Sequence, residues 1–234
     1  MKIESGIVLS KIRYSETSLI FQIFTQDTGT QSYLFPGGSR KNKKGNAVQP
    51  FQLVSFKTFG NNELKKISNI ELIEAGTNKF NDPIKTCVTI FLAEILTKTI
   101  RFQERDDLLF NYLKQSIHIY DELNEIKYFP IWFLLNLTRY LGFFPNHVDQ
   151  GKILDFVEGS FVNYRPAHSN FSSGDSAQKI KQLIGTKFDE LNALNWSNFE
   201  RNEVLKNLLE YYKCHIEETN QIKSLEVLET VFYS

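Results

Sequence analysis

The stretch that decides the fold is an alternating run, FQLVSFKTF (51–59), which ends at Gly60-Asn61-Asn62 and is followed by a second run, Leu64 to Ile73. Apolar and polar residues that alternate with a period of two are typical of a half-buried strand. Glycine and asparagine between two such runs favour a tight turn. The stretch therefore predicts a β-hairpin.

Three further strand-like runs precede this hairpin. Each is rich in β-branched and aromatic residues and stops near glycine, proline or another turn residue: Ile7–Tyr14, Leu19–Phe24 and Gln31–Phe35. Together they give five short strands in about 75 residues with no helical pattern between them, which predicts a small closed barrel.

The pattern changes to helical spacing at Pro83, with Asn81 or Asp82 as the N-cap. A second helix is expected to begin near Asp106-Asp107, and a third to end at Gly142. Further helices are expected over 176–184, 197–215 and 224–232, with an irregular insertion over 145–172 that includes a small hairpin or an ordered loop at 155–161. The sequence thus predicts an α+β protein with a barrel domain over 1–78 and an α-helical domain over 79–234.

Charge is divided unevenly along a chain whose formal net charge is zero. Residues 1–80 contain 11 Lys and Arg against 6 Asp and Glu, a net charge of +5 that the remainder cancels. A basic barrel joined to an acidic helical part indicates an anionic partner at one end only.

The strongest binding signal is a basic loop between two predicted strands, flanked by Gly37-Gly38 and Gly45. Flexible cations on such a loop suit a phosphate backbone, because they neutralise it without a fixed register. The alternative is a solvated loop that only aids solubility, but the barrel also carries other cations. The predicted nucleic-acid contacts are Arg40, Lys41, Lys43 and Lys44 in the loop, with Lys11, Arg13, Lys65 and Lys66 on the barrel.

Aromatic rings near strand ends can stack on the bases of a single strand. Tyr14 and Tyr33 are predicted to do so, whereas Phe35 and Phe59 are expected to belong to the core. On the acidic half, the segment Phe129–Phe144 is unusually aromatic and should mainly form the helical core. Some of it could line a groove for an acidic peptide that ends in apolar residues. The residues proposed for that partner site are Arg101, Arg105, Trp132 and Arg139.

Catalytic and metal signatures are lacking in the sequence. There is no Walker-type loop, dinucleotide fingerprint, zinc-protease helix or nucleophile elbow. Cys87 and Cys214 form no CxxC motif, and Cys214-His215 lacks a second close pair of ligands. We therefore expect no enzyme activity, no metal and no cofactor. The beginning lacks a signal-peptide core and the most apolar segment is interrupted by polar residues, so a cytoplasmic protein is expected.

In order, these features resemble the RecO family. The resemblance rests on Gly6–Leu9, Tyr14–Ser18, Phe24-Thr25 and Gly29, on Pro36–Arg40 followed by Gln49-Pro50-Phe51, and farther on Leu137–Phe143 and Lys223–Leu228. It covers nearly the whole chain and is most specific in the first 60 residues.

The resemblance implies an OB-fold barrel, a helical domain and a role in recombinational DNA repair at the bacterial nucleoid. It also implies binding of single- and double-stranded DNA, annealing of complementary strands, and work with RecR to help load RecA. The resemblance also implies contact with the C-terminal tail of single-strand-binding protein. Many members carry a four-cysteine zinc module where residues 146–172 of this chain contain no cysteine, so a metal-free loop is expected.

The sequence is also compatible with two other functions. An RNA-binding OB-fold protein would prefer structured RNA and would not anneal strands. A pure protein-interaction adaptor would show no salt-dependent binding to any nucleic acid. A phosphate-handling enzyme is a more distant alternative, for lack of catalytic groups.

Overall fold

The computed structural model describes residues 2–40, 44–60, 64–73, 82–146 and 151–232. The chain forms two compact units, Met1–Asn124 and Glu125–Ser234. Strands give way to helices close to the predicted domain boundary at residue 78, but the first compact unit continues beyond it through two helices. Within the described ranges, no helix is both long and apolar enough to span a membrane.

Five strands form the predicted closed barrel. Their order around it is β1-β2-β3-β5-β4, and all neighbours are antiparallel except β3 and β5. A closed five-stranded barrel followed by a helical region confirms the predicted fold class, an OB-fold with a helical C-terminal part. The strands are β1 Lys2–Arg13, β2 Leu19–Thr25, β3 Gly29–Phe35, β4 Leu53–Phe59 and β5 Lys65–Leu72.

The barrel is filled by the side chains that alternate inward along each strand. β1 begins five residues earlier than its apolar pattern predicted, because residues 2–5 pair with β4 alone, ahead of the part that also pairs with β2. β4 begins at Leu53 because Phe51 has a positive φ of 60°, which an extended strand excludes. The core contains Val8, Leu19, Phe21, Ile23, Tyr33, Phe35, Val48, Val54, Phe56, Ile67 and Ile70.

Two helices complete the first unit: α1 Pro83–Thr99 and α2 Asp107–Glu122. Both N-caps agree with the sequence prediction, since Asp82 and Asp106 accept backbone N–H groups of the first turns. Thr97 Oγ1 donates to the Leu9 carbonyl of β1 at 3.1 Å. The link between the two helices lies close to the barrel at Gly29. The backbone N–H of the next residue, Thr30, donates to the Gln103 carbonyl at 2.8 Å.

The second unit is built on α3 Phe129–Leu141, α4 Gly174–Gly185, α5 Asn198–His215 and α6 Leu225–Phe232, with short 3-10 helices at Phe188–Ala193 and Glu217–Asn220. α3 ends where predicted, because Gly142 adopts the left-handed conformation with φ 86°. α5 packs on α3 and α4. The hydroxyl of Tyr212 in α5 donates to the Leu134 carbonyl of α3 at 2.8 Å.

A small sheet occupies the predicted irregular insertion. It consists of β6 Ile153–Asp155, β7 Ser160–Val162 and β8 Phe171–Ser172 in the order β7-β6-β8. The predicted hairpin at 155–161 is present, and β8 is an addition that the sequence pattern did not reveal. The carboxylate of buried Asp155 accepts the Val157 N–H at 2.9 Å and lies 3.3 Å from Nε2 of His168. This contact joins the two ends of the sheet region without a cysteine.

Candidate nucleic-acid interface

Two loops meet at one end of the barrel, beside the residues that flank the basic segment. The loop after β3 is tied to the β1–β2 turn by Ser39, whose N–H donates to the Thr17 carbonyl at 3.0 Å and whose hydroxyl donates to the Glu16 carbonyl at 3.1 Å. Asn46 Nδ2 donates in turn to the Ser39 carbonyl at 2.9 Å. Both ends of the basic loop are therefore fixed relative to the barrel.

Lys11 has a structural contact that its sequence did not indicate. Its half-buried ammonium donates to the carbonyl oxygens of Val48 at 2.7 Å and Asn46 at 3.1 Å. Burial lowers the pKa of this ammonium. Lys11 is therefore already engaged with two backbone carbonyls, through which it holds the segment after the basic loop against β1.

Three predicted cations lie exposed around this end of the barrel. Arg13 ends β1 and donates through Nη2 to the Glu16 carbonyl at 3.2 Å, and Arg40 is exposed beside the Ser39 anchor. Lys44 begins a short 3-10 helix, Lys44–Asn46, and pairs with Glu71 at 2.8 Å. The hydrogen bond from Lys44 lowers the pKa of the Glu71 carboxyl. Two further predicted contacts, Lys41 and Lys43, lie outside the described residues.

The remaining predicted cations lie at the start of β5. Lys65 is paired with Tyr33 and Lys66 with Leu34 across the parallel ladder. Both lysines are partly exposed. They extend the basic surface from the loop end along the outside of the barrel.

The aromatic residues predicted from the sequence differ in how far their side chains are buried. Tyr14 is 64% exposed and can offer its ring to a base. Tyr33 cannot, because it is 0% exposed and its ring meets that of Phe56 edge-on at 4.9 Å in the core. Phe35 is in the core as predicted, whereas Phe59 is 39% exposed and corrects the expectation that it is a core residue.

A row of outward-facing side chains crosses all five strands and was not predicted. The strand register places Ile12 opposite Ile20, Ile20 opposite Leu34, Leu34 opposite Lys66, and Lys66 opposite Phe59. None of the five is buried, and Ile12 is 58% exposed. The one partial signal in the sequence is Ile20, an apolar residue on the face of β2 opposite to Leu19, Phe21 and Ile23. We call these five residues the outer row.

The predicted partner-binding residues fall in both units. In the first, the guanidinium of Arg101 lies 5.2 Å from the Phe102 ring centroid, and Arg105 pairs with Asp107 at 2.8 Å, which lowers the pKa of the Asp107 carboxyl. In the second, Trp132 is partly buried and meets Phe188 edge-on at 5.0 Å. Arg139 lies 3.4 Å from the centroid of the Phe144 ring. Most other aromatic residues of α3 belong to the helical core.

A cavity in the second unit was not indicated by the sequence. It has a volume of about 360 Å³ and lies between α5 and the segment that leads to α6. Lys213 pairs with Glu210 at 2.6 Å, and Lys206 lies 3.4 Å from Glu229. The lining combines three lysines with three apolar residues: Lys206, Lys213, Lys223, Leu209, Ile222 and Leu225.

The arrangement around the barrel suits phosphate and base contacts better than bond-making chemistry. Among the described residues, no group of three or more His, Cys, Asp or Glu side chains could hold a metal ion. The carboxylate of Glu71 is engaged with Lys44. What the site offers is exposed positive charge, an exposed tyrosine ring and an outward apolar row.

Comparisons with known proteins agree with this architecture. Residues 1–75 match the family model for the recombination protein O N terminal, and residues 81–226 match that for the recombination protein O C terminal. The chain is 30% identical to the DNA repair protein RecO of Phocaeicola vulgatus and 31% identical to those of Azobacteroides pseudotrichonymphae and Flavobacterium psychrophilum. In each case 97% of both chains is covered. The chain therefore belongs to the RecO family of DNA repair and recombination proteins.

Proposed function

We propose that this protein is a recombination mediator that binds single- and double-stranded DNA and anneals complementary strands. It then helps to load RecA onto DNA coated by single-strand-binding protein, together with RecR. The observation that carries the DNA-binding part is the cluster of Arg13, Arg40 and Lys44 around two loops that Ser39 ties together. Exposed cations on a fixed loop end bind phosphates of the DNA backbone without contacting the bases, so the binding does not depend on the DNA sequence.

Annealing follows from such backbone contacts. Two DNA strands repel each other through their phosphates, so a protein that neutralises both backbones lowers the barrier to pairing. The bases must be able to leave the protein in order to pair. Neither step requires a bond to be made or broken, so the proposed role is that of a mediator and not of an enzyme.

The cavity beside α5 supports the proposed contact with the tail of single-strand-binding protein. A tail with acidic residues before an apolar end matches a pocket that places Lys213 and Lys223 beside Leu209 and Ile222. Two of the lining lysines already face carboxylates, so the acidic residues of the tail would have to compete with Glu210 and Glu229. The tail therefore gains mainly from its apolar end.

DNA binding is tested with fluorescence anisotropy on single strands of two unrelated sequences. The double variant Arg13→Ala, Arg40→Ala should weaken binding to both sequences alike and reduce the magnitude of the salt slope by about 1.4, since each lost contact removes about 0.7. The matched control is Lys152→Ala, Lys187→Ala, which removes two exposed cations from the second unit. A loss confined to one sequence, or a preference for structured RNA over DNA, would contradict the proposal.

The partner site is tested with a labelled peptide in which acidic residues precede an apolar C-terminus. Lys213→Glu with Lys223→Glu should weaken its binding by repelling the acidic residues, whereas Trp132→Ala with Arg139→Ala should leave it unchanged. Loss of peptide binding in the Trp132→Ala, Arg139→Ala variant, with binding kept in the Lys213→Glu, Lys223→Glu variant, would show that the tail binds at the α3 residues predicted from the sequence. A peptide with its acidic residues replaced by serine controls for apolar contact alone.

A further inference from the structure

The outer row gives the barrel an apolar path that its own core does not need. In β2 the inward residues Leu19, Phe21 and Ile23 fill the core, while Ile20 points to the outside. Because directly paired residues lie on the same face of a sheet, Ile12, Ile20 and Leu34 form one continuous strip. With neighbouring strands about 4.8 Å apart, the five positions follow about 19 Å of the curved outer surface of the closed barrel.

The strip also has cations where a nucleic-acid backbone would need them. Lys66 is itself a member of the row, between Leu34 and Phe59. Arg13 directly follows Ile12 along β1, and exposed Tyr14 comes next. Apolar surface bordered by positive charge fits a single strand, whose bases have exposed faces and whose phosphates are negative.

A duplex presents a different surface to the same barrel. Its bases are stacked and paired inside, and its outside is lined by phosphates. Exposed loop cations can contact those phosphates, but a row of isoleucine, leucine and phenylalanine gains little from them. The two kinds of side chain should therefore respond to different forms of DNA.

We propose that the outer row holds the unpaired bases of single-stranded DNA, whereas Arg13, Arg40 and Lys44 contact the phosphates of single and double strands alike. This inference rests on the proposed DNA-binding function and adds the surface that distinguishes the two forms. Ile12, Ile20 and Leu34 offer no flat ring on which a base could stack tightly. Bases held in this way leave readily to pair with a complementary strand.

The test compares three probes of equal length: an oligothymidylate strand, a duplex and an abasic single strand. The variant Ile12→Ser, Phe59→Ser should lower affinity for the oligothymidylate about tenfold, as expected when two moderate base contacts are lost. Its affinity for the duplex and for the abasic strand should stay within about twofold of that of the unaltered protein. The matched control is Ile3→Ser, which removes a residue of β1 that is 67% exposed but lies outside the row.

Equal losses on single strand and duplex would overturn the inference, and so would an Ile3→Ser variant that behaves like the row variant. Thermal unfolding of each variant identifies any loss that comes from misfolding; if the double variant is unstable, Ile12→Ser alone serves. If the unaltered protein bound none of the three probes, the proposed function itself would fail. If it bound all three with the expected salt dependence and the row variant did the same, only the role of the outer row would fail.

Discussion

The ammonium of Lys11 lies 2.7 Å from the carbonyl oxygen of Val48. This contact joins the C-terminal end of β1 to the segment before β4, and a second bond, to Asn46, reinforces it. A lysine that the sequence assigns to DNA is thus part of the scaffold that positions the DNA-binding loop. Its contribution to binding should be indirect.

Replacement of Lys11 tests this structural role. Lys11→Met should lower the free energy of unfolding by about 1–2 kcal/mol, since two hydrogen bonds from a charged donor are lost. Lys57→Met, which removes an exposed cation of β4, should change it by less than about 0.5 kcal/mol. Urea unfolding measures both values. A Lys11→Met variant of unchanged stability whose salt slope for DNA falls by about 0.7 would show instead that Lys11 contacts phosphate.

Tyr33 should matter for stability and not for stacking. Its ring is fully buried against Phe56, and burial raises the pKa of its hydroxyl. Tyr33→Phe keeps the ring and should retain DNA affinity, whereas Tyr33→Ala should cost about 3–5 kcal/mol through the cavity it leaves. Thermal unfolding and anisotropy, measured on the same samples, separate the two effects. If Tyr33→Phe lost DNA affinity at unchanged stability, Tyr33 would contact DNA and the prediction would be wrong.

Gly29 should be essential for the fit between the barrel and the α1–α2 link. It has φ 74°, and an added Cβ would lie 2.2 Å from the Gln103 carbonyl oxygen. Gly60 has a similar φ of 87° but nothing within 4 Å of the same position, so it is the natural control. Gly60→Ala should cost only the strain of the left-handed conformation, about 1–2 kcal/mol, and Gly29→Ala clearly more. Equal losses would mean that the link yields easily to the added methyl group.

Acid should weaken the start of α5 through Glu200. A hydrogen bond from Lys179, with further bonds from Ser197, lowers the pKa of Glu200 to about 2 from its ordinary value of 4.5. Because the folded-state pKa is depressed, the stabilisation is fully present above pH 4.5 and is lost as the pH falls toward about 2. The difference in unfolding free energy between the unaltered protein and Glu200→Gln should therefore be largest near neutral pH and shrink through that window.

A difference that stays constant from neutral pH to acid would contradict this assignment. Lys179→Met should reduce the same pH dependence, because the Lys179 ammonium lies 2.9 Å from the Glu200 carboxylate. Lys179 also pairs with Asp175, so its variant should lower stability by more than the loss of Glu200 alone.

The sequence predicted most elements because their signals are local. Strand alternation, the caps Asp82 and Asp106, and the C-terminal glycine Gly142 each act within a few residues. The first residues of β1 were missed because they are stabilised by pairing with β4, about fifty residues away in the chain. The polar and exposed residues among them give no apolar pattern of their own.

The face that each strand residue occupies was the main source of error in the site. Tyr33 lies two residues before Phe35, so an inward Phe35 requires an inward Tyr33. Phe59 lies two residues after exposed Lys57 and therefore points outward. The outer row depends on register across five strands, and the cavity beside α5 depends on helix packing. Neither can be derived from one run of residues.

The most direct test of the central claim is the affinity of the unaltered protein for a labelled single-stranded oligonucleotide at two salt concentrations. With about five phosphates contacted, binding should weaken roughly a hundredfold between about 50 and 200 mM salt, since each contact contributes about 0.7 to the slope. Such a decrease would support the basic end of the barrel as a DNA-binding site. Binding that is absent, or that does not change with salt, would contradict the account and leave an adaptor that binds only proteins.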